Sequence, residues 1–372
     1  SRCYHDLEHG YRRTMLTIKF RTGRFLGLLL AMVPTASLSA QTNWTITPDR
    51  DATLYEDAAG TLANGSGTAM FVGTTNSAAK RRGLVHFDLS AIPAGSRVLS
   101  TSLVVTSTQS PSTSVMTMTA HRLLQHWSEG PSVAPGGQGS GGAALNGDST
   151  WLHRDFPTQL WTNPGGDFAS PSFTMDVQAV GSSGSGFQPG LTSDVQSWID
   201  NPASNHGWLL KGDESLSGTA RKLTSREAGS GAGVQLGVTF LSPGLVGQWG
   251  YGCTGGVPMN LLPTGPANSG TTVSLQYFQT PTSSIGASFF ALDLEYGPLG
   301  VGLPISPNCA AYLPPGGVVA GNLWLTNAQG QSSDTFAIPA NAAGFLVVCQ
   351  GAALDSSALG FTLSNAAVML TQ

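Results

Sequence analysis

Apolar and polar positions alternate in short runs along most of this chain, and glycine or proline cuts the runs at short intervals. Gly83-Leu84-Val85-His86-Phe87-Asp88 is one such run, closed downstream by Pro93 and Gly95. Val98–Thr106 and Val115–Leu123 follow, rich in Val, Thr and Met, with a partial period of two. A period of two sends alternate side chains to opposite faces, so these segments predict strands. Trp208-Leu209-Leu210 and Val234–Leu241 read the same way. Leu191–Ile199 departs from the pattern: Val195 and Trp198 share a helical face behind candidate caps, which predicts a single short helix. Gly136–Gly147 is glycine-rich and reads as a flexible loop.

Further along, Thr271–Thr280, Ala287–Leu294, Gly321–Thr326, Ala343–Cys349 and Ala366–Leu370 predict strands, separated by Pro and Gly. The fold class is therefore all-β, and this second set suits a small sandwich or barrel better than an αβ domain. Composition agrees. Only 10% of the 372 residues are charged, 48 are Gly, and 40% are apolar, enough to bury a core rather than stay disordered.

Arg21 and Arg24 precede the apolar run Phe25–Val33, which is followed by Pro34 and the small-residue stretch Thr35–Ala40. That order predicts a cleaved secretory signal, too short to remain as a membrane span. Met15 is a suitable start, which makes residues 1–14 an upstream extension, with the mature chain beginning near Gln41. Residues 1–40 hold six of the 17 Lys and Arg and two of the 21 Asp and Glu, so the remainder carries 11 against 19, a net charge of −8. That balance gives no basic patch for nucleic acid. No later run is long enough for a transmembrane segment, so the expected product is secreted, free or held at the cell surface.

Charge divides the mature chain near Pro243. Every Lys, Arg and His after residue 40 lies before it, and only Asp293, Glu295, Asp334 and Asp355 are charged beyond it. Cys253, Cys309 and Cys349 all lie in that second part. This predicts three segments: residues 1–40 as extension and signal, 41–242 as one β-domain and 243–372 as another, joined at Leu241-Ser242-Pro243-Gly244. An oxidising compartment makes Cys253–Cys309 a reasonable disulfide, worth about 4 kcal/mol by loop entropy. Cys349 lies in an apolar strand and reads as a buried thiol, although its pairing with either of the others is open.

The first domain resembles the DNRLRE family, extracellular domains related to disaggregatase repeats and carbohydrate-binding modules. The pieces that carry the resemblance are Asp51-Ala52-Thr53-Leu54, Asn64-Gly65-Ser66-Gly67, Phe71-Val72-Gly73 and Arg82–Ser90 with Ile92-Pro93-Ala94-Gly95. They continue with Trp127-Ser128-Glu129-Gly130, Trp151, Trp161, Pro164–Phe168, Asp194–Trp198, Asn205–Leu210, and Arg221 through Ser225-Arg226-Glu227. The resemblance spans roughly residues 45–242 and implies a jelly-roll-like β-sandwich. It implies too, as for some members, binding of polysaccharides such as uronic-acid polymers. The second domain is more loosely similar to C-terminal domains of secreted bacterial proteins, on Gly252-Cys253, Pro307-Asn308-Cys309 and Ser364-Asn365-Ala366.

Sugars stack on flat side chains, so Trp127, Trp151 and Trp161, which flank loops, are candidate ligand contacts; packing beneath a long loop is the competing reading. Trp198 and Trp208 read as core. Lys80, Arg81 and Arg82 form the one basic cluster, and with Arg154, Arg221 and Arg226 could fork onto the carboxylates of an acidic polymer. The competing reading ties Arg82 and Arg226 to Glu227, Asp88 or Glu129. Asp49, Asp51, Glu56 and Asp57 are a weak calcium candidate, lacking the spacing of a calcium loop; a solvated turn is the alternative. No nucleophile elbow or zinc-protease motif is present, and pairs such as Glu129 with Asp148, Asp155 or Asp167 are the sole hint of glycoside cleavage. The leading expectation is a non-catalytic polysaccharide-binding protein whose partner is an acidic polymer or cell-surface glycan. A structural or adhesive surface protein comes second and a polysaccharide-degrading enzyme third.

Overall fold

The structure is a computed structural model that describes residues 41–229, 231, 233–253, 257–294 and 302–372. The expected signal lies outside these residues. The fold is all-β, and the strand pairings are antiparallel throughout.

Residues 41–241 build one curled sheet of 11 strands. Its path runs Gln41–Ile46, Gln235–Leu241, Arg97–Gln109, Arg221–Thr224, Ala69–Thr74, Lys80–His86, Trp208–Lys211, Met116–Leu123 and Phe168–Val177. Arg50–Tyr55 adds beside Lys80–His86, and Gly181–Gly184 beside Arg97–Gln109. Alternation decides what each face does. Leu103 and Val105 of one strand and Leu236 and Val238 of its neighbour turn inward, with Leu236 opposite Leu103. The helix Pro189–Asp200 contributes Leu191, Val195 and Trp198 to the same core, as its spacing predicts. Trp198 and Trp208 meet there with ring centres 4.4 Å apart, and the Trp208 indole N–H donates to Asp194 at 2.8 Å. A buried indole nitrogen needs such an acceptor.

The central strands are buried on both faces. Leu54, Leu84 and Leu209 point outward from the curled sheet, yet are buried in a second apolar cluster with Trp127, Trp151 and Trp161. Those three tryptophans come from the long insertion between Leu123 and Phe168, which folds back over the sheet as a cover.

Residues 246–370 form their own sheets. One has five strands in the order Val246–Trp249, Phe361–Leu370, Leu346–Leu354, Ile285–Ala291 and Val319–Leu325; another has three, Asn260–Thr264, Thr272–Phe278 and Ser332–Ala337. Between them lies a core with Leu261, Leu275, Tyr277, Trp324 and Met369. Tyr277 stacks on Trp324 at 4.5 Å. Ser288 Oγ, fully buried, donates to Asp334 and is met by Tyr277 and Trp324, so the polar groups inside this core satisfy one another. Cys253 and Cys309 form a disulfide, and Cys349 is a buried thiol held up at about 12, by burial above all.

Among the described pairings, no strand of the first half pairs with one of the second. The halves nevertheless share an apolar cluster in which Leu99 and Leu241 pack with Leu346, Val348 and Val368 on the outer face of the five-stranded sheet. Arg97 reaches Asp293 across the same boundary at 3.1 Å. No helix among the described residues is long and apolar enough to cross a membrane.

Candidate functional site

The structure buries the aromatic and most of the basic side chains that the sequence offers as glycan contacts. Trp127, Trp151 and Trp161 lie in the outer apolar cluster, and the indole N–H groups of Trp127 and Trp161 donate to the carbonyls of His206 and Thr150. Arg82 lies between the rings of Trp151 and Phe168, forks onto Glu214 at 2.7 and 2.9 Å, and donates to the carbonyl of Gly165. Its partner is Glu214 rather than the Glu227, Asp88 or Glu129 named from sequence. Arg81 stacks on Tyr55 and donates to Gly139, and Lys80 pairs with Glu56 at 2.9 Å. Arg221 is buried, its guanidinium spread over Gln178, Ser110, Thr219 and Ser114. It forms the floor of a cleft of about 670 Å³ lined with hydroxyls such as those of Ser112, Thr117 and Ser215, with Lys211 at one wall. Buried cations whose donors are engaged in this way tie strands together and are not open to a ligand.

The four acidic residues considered for calcium separate. Asp49 pairs with His86, Glu56 with Lys80, and Asp57 caps the turn to Thr61. Asp51 turns elsewhere, toward Glu129 and Glu227, where carboxylate oxygens of all three lie within 4.8 Å of one another. Arg226 sits among them. Its guanidinium forks onto Glu129 at 2.9 and 2.5 Å and lies 2.9 Å from Glu227, while its backbone N–H donates to Asp51 at 2.8 Å. The guanidinium thus neutralises Glu129 and Glu227, while Asp51 is met by backbone alone. Burial, with Glu227 and Glu129 nearby, outweighs the Arg226 backbone bond and pushes Asp51 up to about 7; burial also raises Glu227.

Of the carboxyls considered for glycoside cleavage, Glu129, Asp148 and Asp167 are likewise engaged. Asp148 accepts backbone N–H groups from Ser132 and Leu145, Asp167 accepts those of Thr162 and Asn163, and Glu129 is held by Arg226. These bonds shape the insertion.

A different set of polar groups converges on Trp127. Arg50, at the start of its strand, donates to the Trp127 carbonyl at 2.8 Å with its guanidinium 5.3 Å from the ring. Trp127 in turn donates to the His206 carbonyl at 2.9 Å. Arg154 donates to the carbonyl of His126 at 3.2 Å, and His86 faces Asp49 through Nδ1 and the Asn205 carbonyl through Nε2. Five segments, distant in sequence, so bring Arg50, His86, His126, Arg154 and His206 near one another beside Trp127, with Arg50 over its ring. Burial lowers His126, and the nearby Arg50 and Arg154 guanidiniums, together with His206 and His86, lower it further. His206 is lowered by burial and then by His86 and Arg50. On the His86 side the cluster meets Asp49 and Asp88; Asp49, despite burial, is held low by His86 and Arg50. Asp49 also lies 3.5 Å from Arg50, so its carboxylate answers the cations on that side, while Arg154, His126 and His206 have no carboxylate partner among the described ion pairs and offer an anion N–H donors.

No family model and no curated protein matches this chain.

Of this cluster, sequence reasoning named Arg154 alone. Arg50, His126 and His206 were missed because each stands singly in its segment, with no basic neighbour except across the fold. One signal was present: Gly207 follows His206, has φ of +79°, and a Cβ there would lie 2.1 Å from the Val85 carbonyl. Only glycine allows the 205–207 turn to press against its strand and bring His206 beside Trp127.

Proposed function

We propose that this chain is a secreted, non-catalytic polysaccharide-binding protein that recognises an acidic polymer through the cluster around Trp127. The observation that carries this reading is the convergence of the Arg50 and Arg154 guanidiniums with His126 and His206 beside Trp127, on segments far apart in sequence. Carboxylates of a polyuronate suit such a face, and no acid–base pair needs to be free for the task. The disulfide suits an exported protein. The test is affinity electrophoresis of the full chain in gels containing a polyuronate or a neutral glucan, across a salt series. Retention by the polyuronate alone, weakened by salt and by Arg154→Ala, is the expected result. Equal mobility in both gels overturns the proposal.

The second reading, a structural or adhesive surface protein, draws on a specific observation too. Trp127, Trp151, Trp161, Arg81, Arg82 and Arg221 are all buried, as that reading requires. A chain that holds no polymer in the gels above is best described this way.

A further inference from the structure

The strand Val319–Leu325 is an edge of the five-stranded sheet, paired on one side with Ile285–Ala291 and, among the described residues, with no strand on the other. Edge strands of soluble proteins are ordinarily guarded by charge, proline or a bulge turned outward. This one, Val319-Ala320-Gly321-Asn322-Leu323-Trp324-Leu325, has neither charge nor proline; its register shifts at Gly321-Asn322, and Leu323-Trp324-Leu325 stay in regular pairing with Ile285–Ala287. Trp324 turns into the core, while Leu323 and Leu325 face out, 77% and 73% exposed. On the neighbouring strand Ile285, directly opposite Leu325, is 50% exposed, and Leu354 on the strand beyond is 58% exposed. Of the carbonyls along this edge, that of Leu325 is met by Ser332 Oγ.

The same outer face is apolar at its other end, where Leu346, Val348 and Val368 are covered by Leu99 and Leu241 of the first half. The exposed leucines therefore extend a surface that elsewhere in the chain is buried by packing. Together they leave on the order of 400 Å² of apolar side chain in water, the size that marks an interaction surface.

We propose that this edge is the contact between two copies of the chain, their Val319–Leu325 strands pairing antiparallel across a two-fold axis. Charge selects the occupant. A foreign edge or groove bearing Lys, Arg, Asp or Glu would bury those charges against a strand that has none to pair with them. The equivalent strand of a second copy has no charge to bury; the acidic residues of 243–372 (Asp293, Glu295, Asp334 and Asp355) all lie outside it, and their mutual repulsion is screened by salt. A two-fold pairing also meets the same free backbone groups on both copies at once and joins two apolar stripes into one.

The experiment is sedimentation velocity on the full chain from about 1 to 100 μM, a range that detects a Kd of about 10 μM, with hydrogen exchange followed over the same range. A concentration-dependent dimer is expected, with the amides of residues 319–325 gaining protection as it forms. Leu323→Lys places a charge at the seam and should weaken dimerisation at least about ten-fold. Leu216→Lys, which alters an exposed leucine of the first half, should leave it unchanged. Circular dichroism on both variants reports whether each is folded. A monomer at every concentration overturns the proposal, as does a dimer that survives Leu323→Lys without protection of residues 319–325.

Discussion

The indole nitrogen of Trp127 donates to the backbone carbonyl of His206 over 2.9 Å, joining two loops 79 residues apart. Because Arg50 holds the carbonyl of the same tryptophan, Trp127 fixes the loop positions from which the surrounding cations project.

Removing that donor should loosen the cluster without emptying it. Trp127→Phe keeps most of the apolar volume but leaves the His206 carbonyl unmatched, at a cost of about 1–3 kcal/mol. Trp127→Ala, which opens a cavity beneath the insertion, should cost about 3–5 kcal/mol. Urea unfolding at constant m measures both. Folded Trp127→Phe should also show weaker polyuronate retention; unchanged retention would mean that the tryptophan does not position the cluster.

Retention should strengthen as pH falls. A bound carboxylate polymer favours the protonated imidazoles, so binding takes up protons and tightens as pH falls through and below the ordinary histidine value of 6.5, which His126 and His206 lie beneath. Between about pH 7 and 5 the gain should be roughly three- to ten-fold, ending where the polymer itself is neutralised. His126→Ala with His206→Ala should flatten the profile. Equal steepness in the double variant would remove these histidines from the contact.

Asp51 sets a pH dependence of stability instead. Its carboxyl is raised to about 7 in the fold against 3.8 as the ordinary value, so the folded chain keeps a proton that the unfolded chain releases. Stability from this group is fully present below about pH 4 and declines as pH rises toward 7. Asp51→Asn retains an oxygen for the Arg226 N–H and cannot ionise. It should be more stable than the parent at about pH 8, by a few kcal/mol at most, with the difference shrinking toward about pH 5. Denaturation midpoints at the two pH values decide it, and parallel profiles would argue against a buried proton at Asp51.

Much of the fold was legible because alternation and punctuation are local signals. Val98–Thr106 corresponds to the strand Arg97–Gln109, Val234–Leu241 to Gln235–Leu241, and the helical pair Val195 and Trp198 falls inside Pro189–Asp200. Arg50–Tyr55 and Ala69–Thr74 were not recognised as strands. They are buried almost throughout, and strands covered on both faces lose the alternation that marks half-buried ones. The candidate site was less legible. Tryptophans beside loops read equally as ligand platforms or as packing, and the insertion that covers them has no sequence signature of its own. Arg82 shows the limit most clearly, since its carboxylate partner Glu214 is 132 residues away.

The cluster shared by Leu99, Leu241, Val348 and Val368 bears on how the protein can be handled. A cut at the charge boundary near Pro243 would strip each piece of the other's cover, baring leucines on one and valines on the other. Fragments made there would be prone to clump for reasons unrelated to any glycan, and their behaviour on a column or a polymer bead would report exposed grease. The uncut chain is the meaningful reagent.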